Sequence, residues 1–499
     1  MTRRFSVLLL GFACVAAGGF SLARTSPAAQ PAASGETQYL AFQIFTGATN
    51  PRTPPGSQAV LDAVPSRAQL DAFGAELIAR IGGTGRGRHR LALIFGPIAF
   101  DHSDQQAASL IHDAFDIALA RDVAVGFHLD DSMFWGGRRD LINDPRNIER
   151  ADWEGPPSTA RRLDWGPVPA RIPPQMCLNS PAVEAEVRRR GADVIGPAIR
   201  RGLARLHAAR REDLFAGVIV GWETHIGVDF ENPRRALGYC VLANRGLKAG
   251  ATAEAMDAAR VAAVEHFITL WSQAIAAGGV PETRIYSHVA FAPRQTFAER
   301  GPERMSYAEA TLFAPSEVAF GASRRAGFST YPAPDLMEEI YADTARHGGA
   351  PWASAEGANV DLPAEGPRGG PGSGMDTETY LARQFNHGAV LVNLFGWGID
   401  DTNNRFRRAA ANPDAIIAYR KFLRGETLVE GSVQPTIQDR LPPKIHRIQA
   451  EMPAWISGDR NRQARAQLHL DALAAAMAAK DLTRAEREAD ALLALLDGK

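Results

Sequence analysis

The chain has 499 residues, a length for one large domain or two average ones. Its formal net charge of −1 gives no sign of an electrostatic partner such as nucleic acid, and none is expected. Three cysteines are few; if Cys14 leaves with a leader, Cys177 and Cys240 remain, either paired in an oxidising compartment or buried as separate thiols.

The first residues read as an export signal. Arg3-Arg4 supply charge, Val7–Phe20 are mostly apolar, and Ser21-Leu22-Ala23 fits a small-x-small cleavage site. Residues 1–23 are thus expected to be a signal peptide, and 24–38, rich in Pro, Ala and Ser, a disordered leader. The apolar run is short for a bilayer and no later stretch is better, so no stable membrane span is expected. The expected location is periplasmic or secreted.

From Tyr39 a regular alternation begins. Tyr39–Thr46 reads as a strand, and Ser57–Ile81 as a helix with Leu70, Phe73, Leu77, Ile78 and Ile81 on one face. Arg90–Phe95 is a second strand, followed by a helix at about Asp104–Ala120. Val123–Leu129 is a third, ending in Asp130-Asp131 and followed by a long excursion to about Ser180 that holds Trp135, Trp153 and Trp165. Pro181–Ala208 is the third helix. Phe215–Val220 is a short apolar run, the mark of a strand buried on both faces, and it exits into Gly221-Trp222-Glu223-Thr224-His225. A helix at Ala251–Ala277 follows, then a fifth strand at Arg284–Val289 and a poorly periodic segment assigned a helix. Glu317–Phe320 is a weak sixth strand leading to Gly327–Tyr331. A helix at Asp335–His347 precedes a seventh strand at Trp352, which repeats the grammar of the fourth: apolar residues, a Trp, and Glu356 at the exit. After a helix at Asp376–Asn386, Ala389–Trp397 is the eighth strand and Asn412–Leu423 the closing helix.

Eight strands, each followed by a helix, argue for parallel pairing and closure into a (β/α)8 TIM barrel over 39–424, an α/β fold; an open doubly wound sheet is the competitor. Residues 425–499 read as an irregular segment, Leu428–Ser457, and a C-terminal helical hairpin broken near Asp481. Gly82-Gly-Thr-Gly-Arg-Gly87 follows a helix and precedes a strand, the wrong order for a phosphate cradle, and reads as a connector.

Barrel enzymes place catalytic groups at the C-terminal ends of their strands. The residues there are His128, Asp130, Trp222, Glu223, His225, His288, Tyr331, Glu356 and Trp397. Strands four and seven lie roughly opposite, so Glu223 and Glu356 can meet over the barrel mouth. Two carboxylates about 5 Å apart suit retaining glycosidic cleavage, one as nucleophile and one as acid and then base. The tryptophans offer flat apolar faces for sugar rings, with capping of the core as the plainer reading. Asp130, beside His128, is expected to bind a substrate hydroxyl. Cys177 and Cys240 follow strands three and four, so their loops share one face and are disulfide candidates.

This pattern resembles glycoside hydrolase clan A, the retaining glycosidases built on a TIM barrel. The resemblance covers 39–424 and rests on Gly221-Trp222-Glu223-Thr224-His225 after strand four and Ala353-Ser354-Ala355-Glu356-Gly357 at strand seven. It implies that Glu223 is the acid/base and Glu356 the nucleophile, that Trp397 is a sugar platform, and that His288 or Tyr331 hydrogen-bonds the nucleophile. Most clan members carry Asn before the acid/base; Trp222 stands there in this chain.

The expected function is therefore hydrolysis of a β-linked oligosaccharide or polysaccharide with no cofactor and no metal. Two other readings stand beside it. One is a metal-dependent barrel hydrolase with His128, Asp130, His225 and His288 as ligands. The other is a carbohydrate-binding barrel without catalysis.

Overall fold

The computed structural model describes residues 35–46, 64–129, 132–162, 171–232, 235–291, 314–330, 334–357, 375–395, 413–431, 437–457 and 459–497. The expected signal peptide, Asp130, Trp165, Tyr331, Trp397 and the helix assigned after strand five all lie outside them.

Eight parallel strands form the centre: β1 (Gln38–Phe45), β2 (His89–Gly96), β3 (Ala124–Leu129), β4 (Phe215–Val220), β5 (Ile285–Ser287), β6 (Gly327–Ser329), β7 (Trp352–Gly357) and β8 (Ala389–Leu394). Each pairs with its sequence neighbour from β1 to β5 and from β6 to β8, and β1 also pairs with β8. Backbone hydrogen bonds between the β5 and β6 regions, Val289 N to Gly327 O at 3.1 Å and Ser329 N to Val289 O at 3.0 Å, complete the ring. With helices between the strands, this is the TIM barrel expected from the alternation.

Period-two alternation sorts the strand residues. Tyr39, Ala41, Ala92, Ile94, Ala124, Ala216 and Ile219 fill the interior. Leu40, Phe42, Leu91, Leu93, Val125 and Phe127 face the surrounding helices in a larger core. Both faces of every strand are covered, which is why the strands read as apolar runs.

The helices begin where the sequence caps them. α1 (Arg67–Ile81) and α2 (Asp104–Arg121) open on capping boxes, Ser66 with Gln69 and Ser103 with Gln106. α3 runs from Pro181–Arg189 through a π-helical stretch, Arg190–Ile195, into Gly196–Ala208. Arg190 in that stretch is buried and donates to the carbonyls of Ala99 and His102, at 2.7 and 2.8 Å, tying α3 to the loop after β2. α4 (Ala253–Ala277), α5 (Pro334–Arg346), α6 (Thr377–Phe385) and α7 (Pro413–Leu423) complete the layer. Residues 82–87 turn from α1 into a two-residue strand, Gly85–Arg86, antiparallel to the start of β2.

The excursion after β3 is tied to the loop after β4. Cys177 and Cys240 form a disulfide, with Cα atoms 5.9 Å apart. The buried carboxyl of Glu149 accepts from the backbone N–H of Cys240 at 2.9 Å and of Val241 at 3.2 Å.

Two expectations are corrected. Ser316–Ala319 is a 3-10 helix started by Pro315, not the sixth strand; the strand is the three-residue Gly327–Ser329. In the C-terminal region the expected two-helix hairpin broken near Asp481 is present, and the segment before it, expected to be irregular, is a third helix. Ile437–Trp455 (α8) is helical despite Pro442, Pro443 and Pro453, whose presence had suggested irregularity. With α9 (Arg460–Ala478) and α10 (Leu482–Leu496) it forms a second compact unit beyond Val433. Its own core includes Leu441, Ile448, Met452, Leu473 and Leu492. Among the described residues no helix is long and apolar enough to cross a membrane.

Candidate active site

The alternation that puts small residues inside the barrel puts polar ones there at the strand ends. Gln43 follows Tyr39 and Ala41 by twos; His128 follows Ala124 by four; Asn393 follows Leu391 by two. With His288, just past β5, and Ser329 of β6, they form a buried polar layer at the C-terminal mouth, none more than 3% exposed. Asn393 Nδ2 donates to Gln43 Oε1 and to the Ala355 carbonyl, both at 2.8 Å. Gln43 Oε1 lies 2.9 Å from His128 Nδ1. His128 Nε2 is 2.9 Å from the Gly221 carbonyl and 3.0 Å from His288 Nδ1. His288 Nε2 is 2.9 Å from Ser329 Oγ. Burial holds the His128 imidazole down to about 3, and pushes His288 well below its usual range, with the neighbouring His128 adding to it.

Glu223 reaches this layer because β4 ends in a tight turn. Gly221 has φ 81° and Glu223 φ 51°, both left-handed. A side chain at 221 would also meet Thr224 Oγ1 at 2.6 Å, so the position requires glycine. A left-handed Glu costs about 1 kcal/mol, the kind of strain that concentrates at functional sites. The turn brings the Gly221 carbonyl against His128, and Glu223 Oε1 within 2.6 Å of Ser329 Oγ. Behind it, His225 Nδ1 donates to the Glu223 carbonyl and the Arg161 guanidinium meets His225 Nε2.

Glu356 is aimed by a bulge. Ala353 and Ala355 belong to the interior, so strict alternation would send Glu356 outward. The β6–β7 register shifts between Ser354 and Glu356, and Glu356 becomes the partner of Ser329. A Cβ on the next residue, Gly357, would lie 2.3 Å from the Tyr380 hydroxyl of α6, on the helix side. Glu356 therefore faces the opposite way, into the mouth, and is 2% exposed. Bulges recur beside active sites for this re-aiming. Asn393, through the Ala355 carbonyl, holds this one in place.

The structure thus brings Glu223, His128 and His288 together through Ser329, with His225 one layer behind, and pairs the Glu356 backbone with Ser329. Ser329 is the junction: its hydroxyl bonds Glu223 while its backbone is paired with Glu356. The tryptophans are placed differently from the expectation. Trp222 is 3% exposed, stacked on His128 with centroids 4.4 Å apart and packed between Phe45 and Phe395. One face lies on His128 and the residue is almost wholly buried, so Trp222 caps that histidine, the plainer of the two readings. Trp352 and Trp135 are fully buried, each with its indole N–H on a carbonyl, His387 and Pro174 respectively. His288 contacts Ser329, and through its hydroxyl Glu223, the residue that the resemblance makes the acid/base.

The described histidines do not gather as metal ligands. His128 and His288 spend their facing nitrogens on each other, and His225 meets a guanidinium. The clusters of ligand type among the described residues are Glu149 with the two disulfide cysteines, and the surface group His112, Asp113 and Asp116. Ser329, Gln43, Asn393 and Arg161 went unmarked in the sequence. Continuing the period-two pattern one step past the interior alanines would have found Gln43.

No protein-family model matches the chain, and no curated protein matches it. Among solved structures it is similar to the catalytic domain of a β-amylase from Paenibacillus polymyxa, at 7% identity and TM-score 0.45, over 79% of this chain and 100% of that one. It is also similar to a D-allulose 3-epimerase from Methylomonas sp., at 12% identity and TM-score 0.34, over 78% of this chain and 98% of that one. A third is the α-N-acetylgalactosaminidase NagBb from Bifidobacterium bifidum, at 13% identity and TM-score 0.30, over 77% of this chain and 51% of that one. Likenesses of this degree assign no chemistry to the chain.

Proposed function

We propose that the barrel is a retaining glycoside hydrolase acting on a β-linked saccharide outside the cytoplasm. The observation that carries the reading is the junction at Ser329, whose hydroxyl bonds Glu223 at the β4 exit and whose backbone is paired with Glu356 of β7. In this reading Glu223 gives its proton to the leaving oxygen while a Glu356 carboxylate oxygen bonds the anomeric carbon and the glycosidic C–O bond breaks. Glu223, now a carboxylate, takes a proton from water, whose oxygen then displaces Glu356. The buried polar layer supplies fixed dipoles under the reacting centre. The Cys177–Cys240 disulfide supports export into an oxidising compartment.

The test is a panel of aryl β-glycosides and β-linked oligosaccharides given to the purified protein, with the anomeric configuration of the first-formed product followed by NMR. Retention supports the reading. Inversion removes the double displacement, and no turnover of any glycoside removes the glycosidase.

A further inference from the structure

We infer that the barrel acts at chain ends: the excursion after β3 and a band of aromatic rings fill one half of the mouth, so a saccharide reaches Glu223 from the other half alone. This rests on the glycosidase reading and names the mode of attack at the same site.

The band follows from ring order. β4 and β8 stand opposite each other in the barrel. Trp222, just past β4, and Phe395, just past β8, nevertheless meet, with ring centroids 6.1 Å apart. Phe45, at the end of β1, fills the angle between them, 5.6 Å from Trp222 and 5.2 Å from Phe395. The three rings therefore cross the mouth from one side to the other. Ala99 of the loop after β2, and Phe134 and Ile172 of the excursion, belong to the same apolar cluster. They arrive from the β2 and β3 exits, so the cluster fills the half-mouth over β1 to β3.

The cover continues past the β4 exit. Ile172 sits in a hairpin in which Arg171-Ile172 pairs with Arg161-Arg162. Arg161 forms a backbone bridge to Asp229 of the segment after β4, and a Cβ on Gly227 would meet the Arg161 Nε at 3.0 Å. That segment is buried from Thr224 to Val228. Glu223 reaches the other way, its Oε1 bonded to Ser329 Oγ on β6, beyond β5.

The cover is a wall and not a lid, because it is tied at both ends. The Asp101 carboxylate accepts from the Gly137 N–H at 2.6 Å, and the Asp101 N–H donates to the Phe134 carbonyl at 3.1 Å, which joins the loop after β2 to the excursion. The Trp135 indole donates to the Pro174 carbonyl across the excursion at 2.9 Å. The Cys177–Cys240 disulfide and the Glu149 carboxyl fasten its far end to the loop after β4. Lifting it would break these ties together and return the apolar cluster to water.

A chain cut at an inner bond leaves the reacting centre in two roughly opposite directions. The filled arc runs from β8 through β1 to β4 and past the β4 exit, so for every direction left on the rim the opposite one is filled. The filled half also presents apolar carbon where sugar hydroxyls need hydrogen-bond partners. One end of the chain therefore stops inside the mouth, against the wall.

The test uses wild-type protein with β-linked hexa-, hepta- and octasaccharides of glucose, xylose, mannose, galactose and N-acetylglucosamine. Each is tagged at the reducing end and its products are followed by capillary electrophoresis from the earliest time points. In a series that is cleaved, a single cut is expected, a fixed number of units from one end as the chain lengthens. A bulky cap on that end should lower kcat/KM by about a hundred-fold or more, and a cap on the other end far less. Cuts spread over inner bonds from the start, or indifference to both caps, overturn the inference and leave the glycosidase reading standing. A protein that cleaves no β-glycoside at all overturns both.

Discussion

Glu356 and Ser329 are partners across the β6–β7 pair, and the slip in that pairing turns Glu356 into the barrel mouth. Ser329 reaches Glu223 from the same position. One short strand thus sets the relation between two carboxyl groups that arrive from different parts of the chain, and the chemistry proposed depends on that relation.

Glu223→Gln removes the transferable proton and leaves the packing. Glycosides with poor leaving groups should lose about 10² to 10⁴ in kcat/KM. Activated aryl glycosides, which leave without protonation, should lose far less in the first step. Equal losses on both, in steady-state rates across a leaving-group series, would remove the acid role.

Ser329→Ala breaks the junction by removing the hydroxyl that bonds Glu223, while both glutamates stay in the chain. It leaves buried His288 Nε2 without this partner, at a cost of about 1–3 kcal/mol in stability. Activity should fall by about ten- to a hundred-fold through loss of positioning. Urea unfolding and kcat measured together check both; wild-type kcat would show that the junction is incidental.

Much of the fold was legible because strands covered on both faces show as apolar runs; Phe215–Val220 is one. The sixth strand was hidden because three residues, Gly327–Ser329, carry no such run, while Glu317–Phe320 looks more strand-like and is turned by Pro315. Both glutamates were visible as strand-end carboxyls. The bulge that aims Glu356 was not, since one slipped residue leaves no trace in composition. Trp222 and Trp352 stand close to the two strand-end glutamates in sequence, but sequence does not say which face a ring presents. Ser329, Gln43 and Asn393 matter only through partners 38 to 350 positions away, which only the closed barrel brings together.

Acid should destabilise the protein through its buried histidines. His102, with Nδ1 accepting from the Ala99 N–H and Nε2 bonded to the Thr46 carbonyl, is lowered from 6.5 to about 4 by burial. His128 is lowered to about 3 for the same reason. A depressed histidine binds its proton in the unfolded state first, so its stabilising share is present above pH 6.5 and is lost as pH falls toward the folded value. Each costs about 2 kcal/mol by pH 5. Glu149, raised by burial to about 7, works in the opposite direction over the same window, so the useful readout is a difference. Between pH 7 and 5, the loss of stability in urea should be about 2 kcal/mol smaller for His102→Asn than for wild type. Equal slopes would contradict the assignment.

The disulfide closes a loop of 63 positions between Cys177 and Cys240. Loop-closure entropy of that length is worth about 4 kcal/mol. The double Cys→Ala variant, or the wild type in reductant, should unfold at lower urea by a comparable free energy. Free thiols in the purified protein, counted under denaturing conditions, would remove the bond.

The most direct measurement is covalent trapping. The protein is incubated with a panel of activated 2-deoxy-2-fluoro-β-glycosides, digested and mapped by mass spectrometry. One glycosyl unit on the peptide carrying Glu356, blocked by Glu356→Ala, is the expected result. A label on Glu223 would reverse the two roles, and full turnover of a β-glycoside by Glu356→Ala would contradict the two-glutamate mechanism outright.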